Sequence, residues 1–120
     1  MRNDKENVIL NKTIEFALAS IEYVEQLERE KKYVIARQLL RSATSIGANV
    51  HEAQNAESKP DFIHKFKVGA KEVDETKYWL ILCKNSETYP SCDHLFGLLG
   101  EIDKIMTKII STSKSGVQSR

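Results

Sequence analysis

Asp61-x-x-His64 and Glu72-x-x-Glu75 set pairs of ligand-type side chains three residues apart. That is the spacing with which helical carboxylates and imidazoles hold a dinuclear metal inside a bundle. Such chemistry requires the groups to converge inward, and the helical register puts His64, Glu72 and Glu75 off the apolar arc of their helix. No metal and no cofactor is expected. His51-Glu52 opens like a zinc-protease pattern, but Asn55 stands where the second histidine is required. Cys83 and Cys92 are the two cysteines of the chain; at the end of one helix and the start of the next they read as free thiols, with His94 two positions beyond Cys92. No nucleophile is flanked by a recognisable base or a glycine-rich oxyanion loop, so no catalytic residue is assigned and the chain is read as a non-enzyme.

Binding chemistry is better represented. His64, Lys67 and Lys71 fall within about 60° of one another on a helix, with Arg37, Arg41, Lys59 and Lys65 near in sequence. Clustered cations attract phosphates, and no aromatic side chain interleaves with them. Contact with RNA or DNA should therefore be salt-sensitive and indifferent to sequence. The alternative is a protein-binding module without a nucleic-acid role.

The elements that carry these residues follow from composition and period. A chain of 120 residues with 41% hydrophobic and 29% charged residues, five glycines and two prolines fits one helical domain spanning 1–120. No apolar run is long enough to span a membrane, and the polar segment Met1 to Asn7 offers no export signal, so a cytoplasmic location without membrane contact is expected. The net charge of +1 conceals blocks: −3 over residues 1–30, +5 over 31–71, −5 over 72–103 and +4 over 104–120. Such blocks predict antiparallel packing of unlike neighbours.

Leu10, Ile14, Ala17, Ile21 and Val24 predict the core seam of a first helix over about 4–30, with a turn near Lys31 and Lys32. A second helix, 33–56, would bury Ile35, Leu39, Ala43, Ile46, Val50 and Ala53, with Ala36, Ala43 and Gly47 giving one edge for close approach. Ser58, Pro60 and Asp61 start a third helix, 59–87, whose buried positions are Phe62, Ile63, Phe66, Gly69, Val73, Thr76 and Leu80. Beyond Tyr89-Pro90, Ser91 should cap a fourth, 91–112, carrying Leu95, Leu99, Ile102, Ile105, Met106 and Ile109 before a frayed tail at 113–120. Short connections then give an all-α, antiparallel up-down-up-down four-helix bundle.

A second apolar surface points to self-association. Ile9, Phe16 and Tyr23 repeat every seven residues away from the first helix's seam, and Val68, Trp79 and Leu82 lie opposite the core arc of the third. On the second helix Arg41, Ser45, Asn49 and Glu52 fall within an arc of roughly 80°. The predicted subunit interface is accordingly Ile9, Phe16, Tyr23, Arg41, Asn49, Glu52, Val68, Glu72, Glu75 and Trp79, with Arg41 pairing to Glu72 or Glu75 across helices or subunits.

Gln38-Leu39-Leu40-Arg41-Ser42, Ser45-Ile46-Gly47-Ala48-Asn49-Val50, Glu52-Ala53, Asp61-Phe62, Lys71-Glu72, Glu75-Thr76 and Tyr78-Trp79-Leu80 occur in this order. In these segments the chain resembles the four-helix-bundle family encoded by intervening sequences of bacterial 23S ribosomal RNA genes. The resemblance spans most of residues 10–112. It implies a homopentameric ring related in fold to the accessory variability determinant of diversity-generating retroelements. It further implies a scaffold or adaptor whose partners are copies of itself, RNA or DNA, and a protein such as a reverse transcriptase.

Overall fold

Three chain reversals, each built differently, cut the helical pattern into four rods. The computed structural model describes residues 4–115, with side chains from Val8 to Lys114: α1 Asp4–Arg29, α2 Tyr33–Ala53, α3 Lys59–Asn85 and α4 Asp93–Ser115. The first reversal uses no glycine. Lys31 takes φ 64°, the Lys32 amide donates to the Leu27 carbonyl at 2.8 Å and the Lys31 amide to Glu28 at 2.9 Å. This is a left-handed helix stop closed by two reversed bonds, with a lysine where glycine is usual. At the second, Ser58 Oγ accepts from the Asp61 amide at 3.2 Å, while Asp61 Oδ2 accepts from the Glu57 amide at 3.1 Å. At the third, the Tyr23 hydroxyl donates to the Pro90 carbonyl at 2.8 Å, tying α1 to the α3–α4 turn.

Four boundaries lie inside the expected ones, since α1 stops at Arg29, α2 at Ala53 and α3 at Asn85 and α4 starts at Asp93, while α4 continues through Ser113 and Lys114. Ser111, Thr112 and Ser113 are weak helix formers, but no proline or glycine intervenes before Gly116. The remainder of the expected frayed tail, 116–120, lies outside the described residues.

All neighbouring helices run antiparallel. Thr13 faces Gly47, Ser42 bonds Thr76, Lys84 lies over Phe96, and Lys12 reaches Glu101, so in each pair one number falls as the other rises along the rods. The order is α1–α2–α3–α4 and back to α1, with α1 diagonal to α3. The expected packing of unlike charges holds between α2 and α3, where Arg41 pairs with Glu72 and Glu75 and Lys65 with Glu52, and fails between α3 and α4. There the basic first half of α3 lies beside the basic last half of α4. Apolar burial decides the register, and solvent-exposed charges are too strongly screened to oppose it.

The largest correction concerns α1. Ile9, Phe16 and Tyr23 are core residues, joined by Thr13, Ser20, Val24 and Leu27. Of the expected seam only Val24 is buried; Leu10, Ala17 and Ile21 are half-buried, and Ile14 is 51% exposed. Two polar residues, Thr13 and Ser20, had made the true core stripe look broken. Thr13 Oγ1 satisfies itself on the Leu10 carbonyl at 2.7 Å, which removes the cost of its burial. Its small volume also lets α2 come close: a Cβ on Gly47 would stand 3.1 Å from Thr13 Oγ1 and 3.2 Å from its Cβ.

Gly97 and Gly100 differ from Gly47, because a Cβ on either meets nothing within 4 Å. Each lies mid-helix, where glycine costs about 0.5–1 kcal/mol relative to alanine. The double variant Gly97→Ala/Gly100→Ala should therefore unfold at higher urea by roughly 1–2 kcal/mol of stability. A decrease would mean that α4's outer face is covered in the assembled protein.

Candidate polyanion and assembly surfaces

The polar row on α2 is the inner lacing of one subunit. Arg41 Nη2 lies 2.6 Å from Glu75 Oε1 and 3.2 Å from Glu72 Oε1, and Lys65 Nζ lies 3.0 Å from Glu52 Oε1. Arg41 first, and the indole N–H that Trp79 donates at 3.1 Å second, hold the Glu75 carboxyl below the usual carboxylate range. That contribution exists at neutral pH and disappears as acid protonates the group. Ser45 Oγ turns inward to the Arg41 carbonyl at 2.6 Å, and Asn49 packs its Cβ toward Gly69 while donating to the Ser45 carbonyl at 2.9 Å. Beneath the row, the buried hydroxyls of Ser42 and Thr76 lie 2.8 Å apart, and Thr76 also donates to the Glu72 carbonyl at 2.7 Å. Asn49, Glu52, Glu72, Glu75, Val68 and Trp79 thus border the α2–α3 groove, the last two half-buried in it.

The cationic candidates separate into two groups. Arg41 and Lys65 are neutralised by the carboxylates just named. Lys59, His64 and Lys67 line an open cleft of about 470 Å³ between the start of α3 and the end of α4, where Lys114 joins them above a floor of Pro60 and Ile63. Lys71 is exposed one turn beyond Lys67, and Arg37 is exposed on α2, outside the cleft lining. Lys114 was missed by sequence reasoning because it fell in the expected frayed tail. The signal was the absence of a helix breaker before Gly116.

The thiols are shielded. Cys83 and Cys92 are buried and free beside the Tyr23 hydroxyl. Burial pushes the Cys83 thiol up to about 11 and raises Cys92 and Tyr23 as well. Such thiols are poor nucleophiles at neutral pH. Among the described residues no three of His, Cys, Asp and Glu gather as a metal site, and no helix is long and apolar enough to cross a membrane.

An outer apolar surface does exist, but the expected Ile9, Phe16 and Tyr23 are buried and, of the expected residues, Trp79 borders it, half-buried beside Tyr78. Leu18 is 60% exposed on α1 beside Ile14, and Leu10, Ala17 and Ile21 flank them on the α2 side. Diagonally across the bundle, Tyr78 stands outward on α3 with its ring 5.2 Å from that of Trp79, and Val34 on α2 is 76% exposed.

Residues 5–111 match the family model described as 23S rRNA-intervening sequence protein. The chain is similar to a solved protein of unknown function from the S23 ribosomal protein family of Bacteroides thetaiotaomicron, at 40% identity and a TM-score of 0.83, covering 90% of this chain and 99% of that one. No curated protein matches.

Proposed function

Given that the chain belongs to the 23S rRNA-intervening sequence protein family, we propose that it is a non-enzymatic scaffold that assembles into a closed homo-oligomeric ring and holds RNA or DNA through exposed lysines. The observation that carries this reading is the pair of dissimilar apolar patches on diagonal helices, the exposed Ile14 and Leu18 on α1 against the exposed Tyr78, edge-on to the half-buried Trp79, on α3. Two different patches on opposite sides of one subunit suit head-to-tail contact, which closes into a ring when the rotation permits. Five subunits is the number that the family resemblance implies. Repetition around a ring multiplies a weak cationic patch by its copy number, which supports binding despite a net charge of only +1.

Light scattering after gel filtration at micromolar concentration should give a multiple of 13.7 kDa. A particle of one chain's mass would overturn the scaffold. Retention on heparin, with RNA binding that weakens steeply between low and high salt, is expected alongside. An assembled protein indifferent to both polyanions would instead be a protein-binding module. The ion pairs that neutralise Arg41 and Lys65 are the observation favouring that second reading.

A further inference from the structure

The two basic stretches of α3 and α4 meet at one end of the bundle because the helices are antiparallel. There, Lys59 and Lys67 project from the first turns of α3 and Lys114 from the last turn of α4, with His64 beside them. None of the three lysines takes part in an ion pair among the described residues, whereas Arg41, Lys65 and Lys12 all do. No carboxylate lines the cleft. The nearest acid in sequence, Asp61, is engaged by the Glu57 amide, and Lys65 on the same flank is held by Glu52. Unneutralised like charges that share a concavity repel one another, and an anion between them relieves that repulsion.

The cleft is more than a charged rim. Its floor is the Pro60 ring and the half-buried Ile63 side chain, so it offers aliphatic surface under the ammonium groups. A volume of about 470 Å³ lies in the range of small-ligand sites. Inorganic phosphate alone would leave that floor wet, and a lone apolar group would leave the lysines unmatched. A ligand carrying both a phosphate and a flat ring satisfies each part.

We infer that this cleft seats one nucleotide unit of a single-stranded nucleic acid, its phosphate among Lys59, Lys67 and Lys114 and its base on Pro60 and Ile63. Lys71, exposed one turn along α3, continues the row for the next phosphate. An aliphatic floor reads no base edge, so the seat accepts any of the four bases. This assignment rests on the nucleic-acid reading above and gives it an address.

The test is fluorescence anisotropy of a labelled single-stranded trinucleotide with the full-length assembled protein, in low salt. Lys67→Gln should weaken binding about tenfold, the effect of removing one charged hydrogen bond to phosphate, and Lys67→Arg should restore it. Arg37→Gln removes the same net charge outside the cleft and should leave affinity nearly unchanged. Adenosine monophosphate should displace the probe at lower concentration than inorganic phosphate. Equal weakening by Lys67→Gln and Arg37→Gln would overturn the cleft in favour of a diffuse field, and equal competition by phosphate and the mononucleotide would overturn the base seat. Long RNA that binds undiminished by Lys67→Gln would sink the cleft yet leave the nucleic-acid reading intact; no binding of any nucleic acid would remove the cleft and that reading together, leaving the ring as a protein-binding module. Lys67 is exposed, so the variants should keep their helical circular dichroism.

Discussion

Phe16→Ala should lower the unfolding free energy by about 3–5 kcal/mol, a third or more of the stability of an ordinary domain. Phe16 is 0% exposed, one heptad from both Ile9 and Tyr23, in the stripe that α1 turns toward the other helices. Truncation loses the transfer free energy of the ring and leaves a cavity that stiff, close-packed rods cannot collapse into. Urea unfolding at one fixed protein concentration measures the effect, since assembly adds to apparent stability. A Phe16→Ala loss below about 1 kcal/mol, in the range of surface substitutions, would return Phe16 to the outside and invert α1.

The second large effect is on assembly. Ile14→Asp/Leu18→Asp puts two charges on the α1 patch, and losing two partly buried aliphatic contacts per interface should cost about 2–4 kcal/mol, or roughly 30- to 700-fold in subunit affinity. Burying the new carboxylates would add to that penalty. The monomer fold should survive, because both side chains are more than half exposed there. The expected result in light scattering is a shift to single-chain mass with unchanged helicity. Intact assembly in this variant would place the contact between copies elsewhere and remove the observation on which the ring is built.

The four rods were legible in the sequence because periodicity is redundant: each helix repeats its signal over several turns, and Pro60 and Pro90 punctuate two of the three reversals. The family was legible for a related reason, since many separated segments had to agree. The faces of α1 were not. Two stripes of similar apolarity compete on that helix, and the choice between them depends on Thr13 fitting against Gly47 of α2, a property of the partner surface rather than of α1. The Arg41 row was correctly seen as organised and Arg41 pairs with Glu72 and Glu75 as expected; that the pairing lies within one chain is what helical register on α2 alone does not reveal. Lys59, His64 and Lys67 were visible as cations; their meeting with Lys114 required the length of α4 and its direction.

The lengthwise segregation of charge on α3 and α4 has a geometric corollary. If bundles stand side by side about a rotation axis parallel to their long dimension, every subunit points the same way, and their dipole moments add instead of cancelling. The resulting plate would gather its lysine clefts on one of its two flat sides, while the other would mix Lys32 and Lys84 with Asp93. A polyanion would then be held from a single direction.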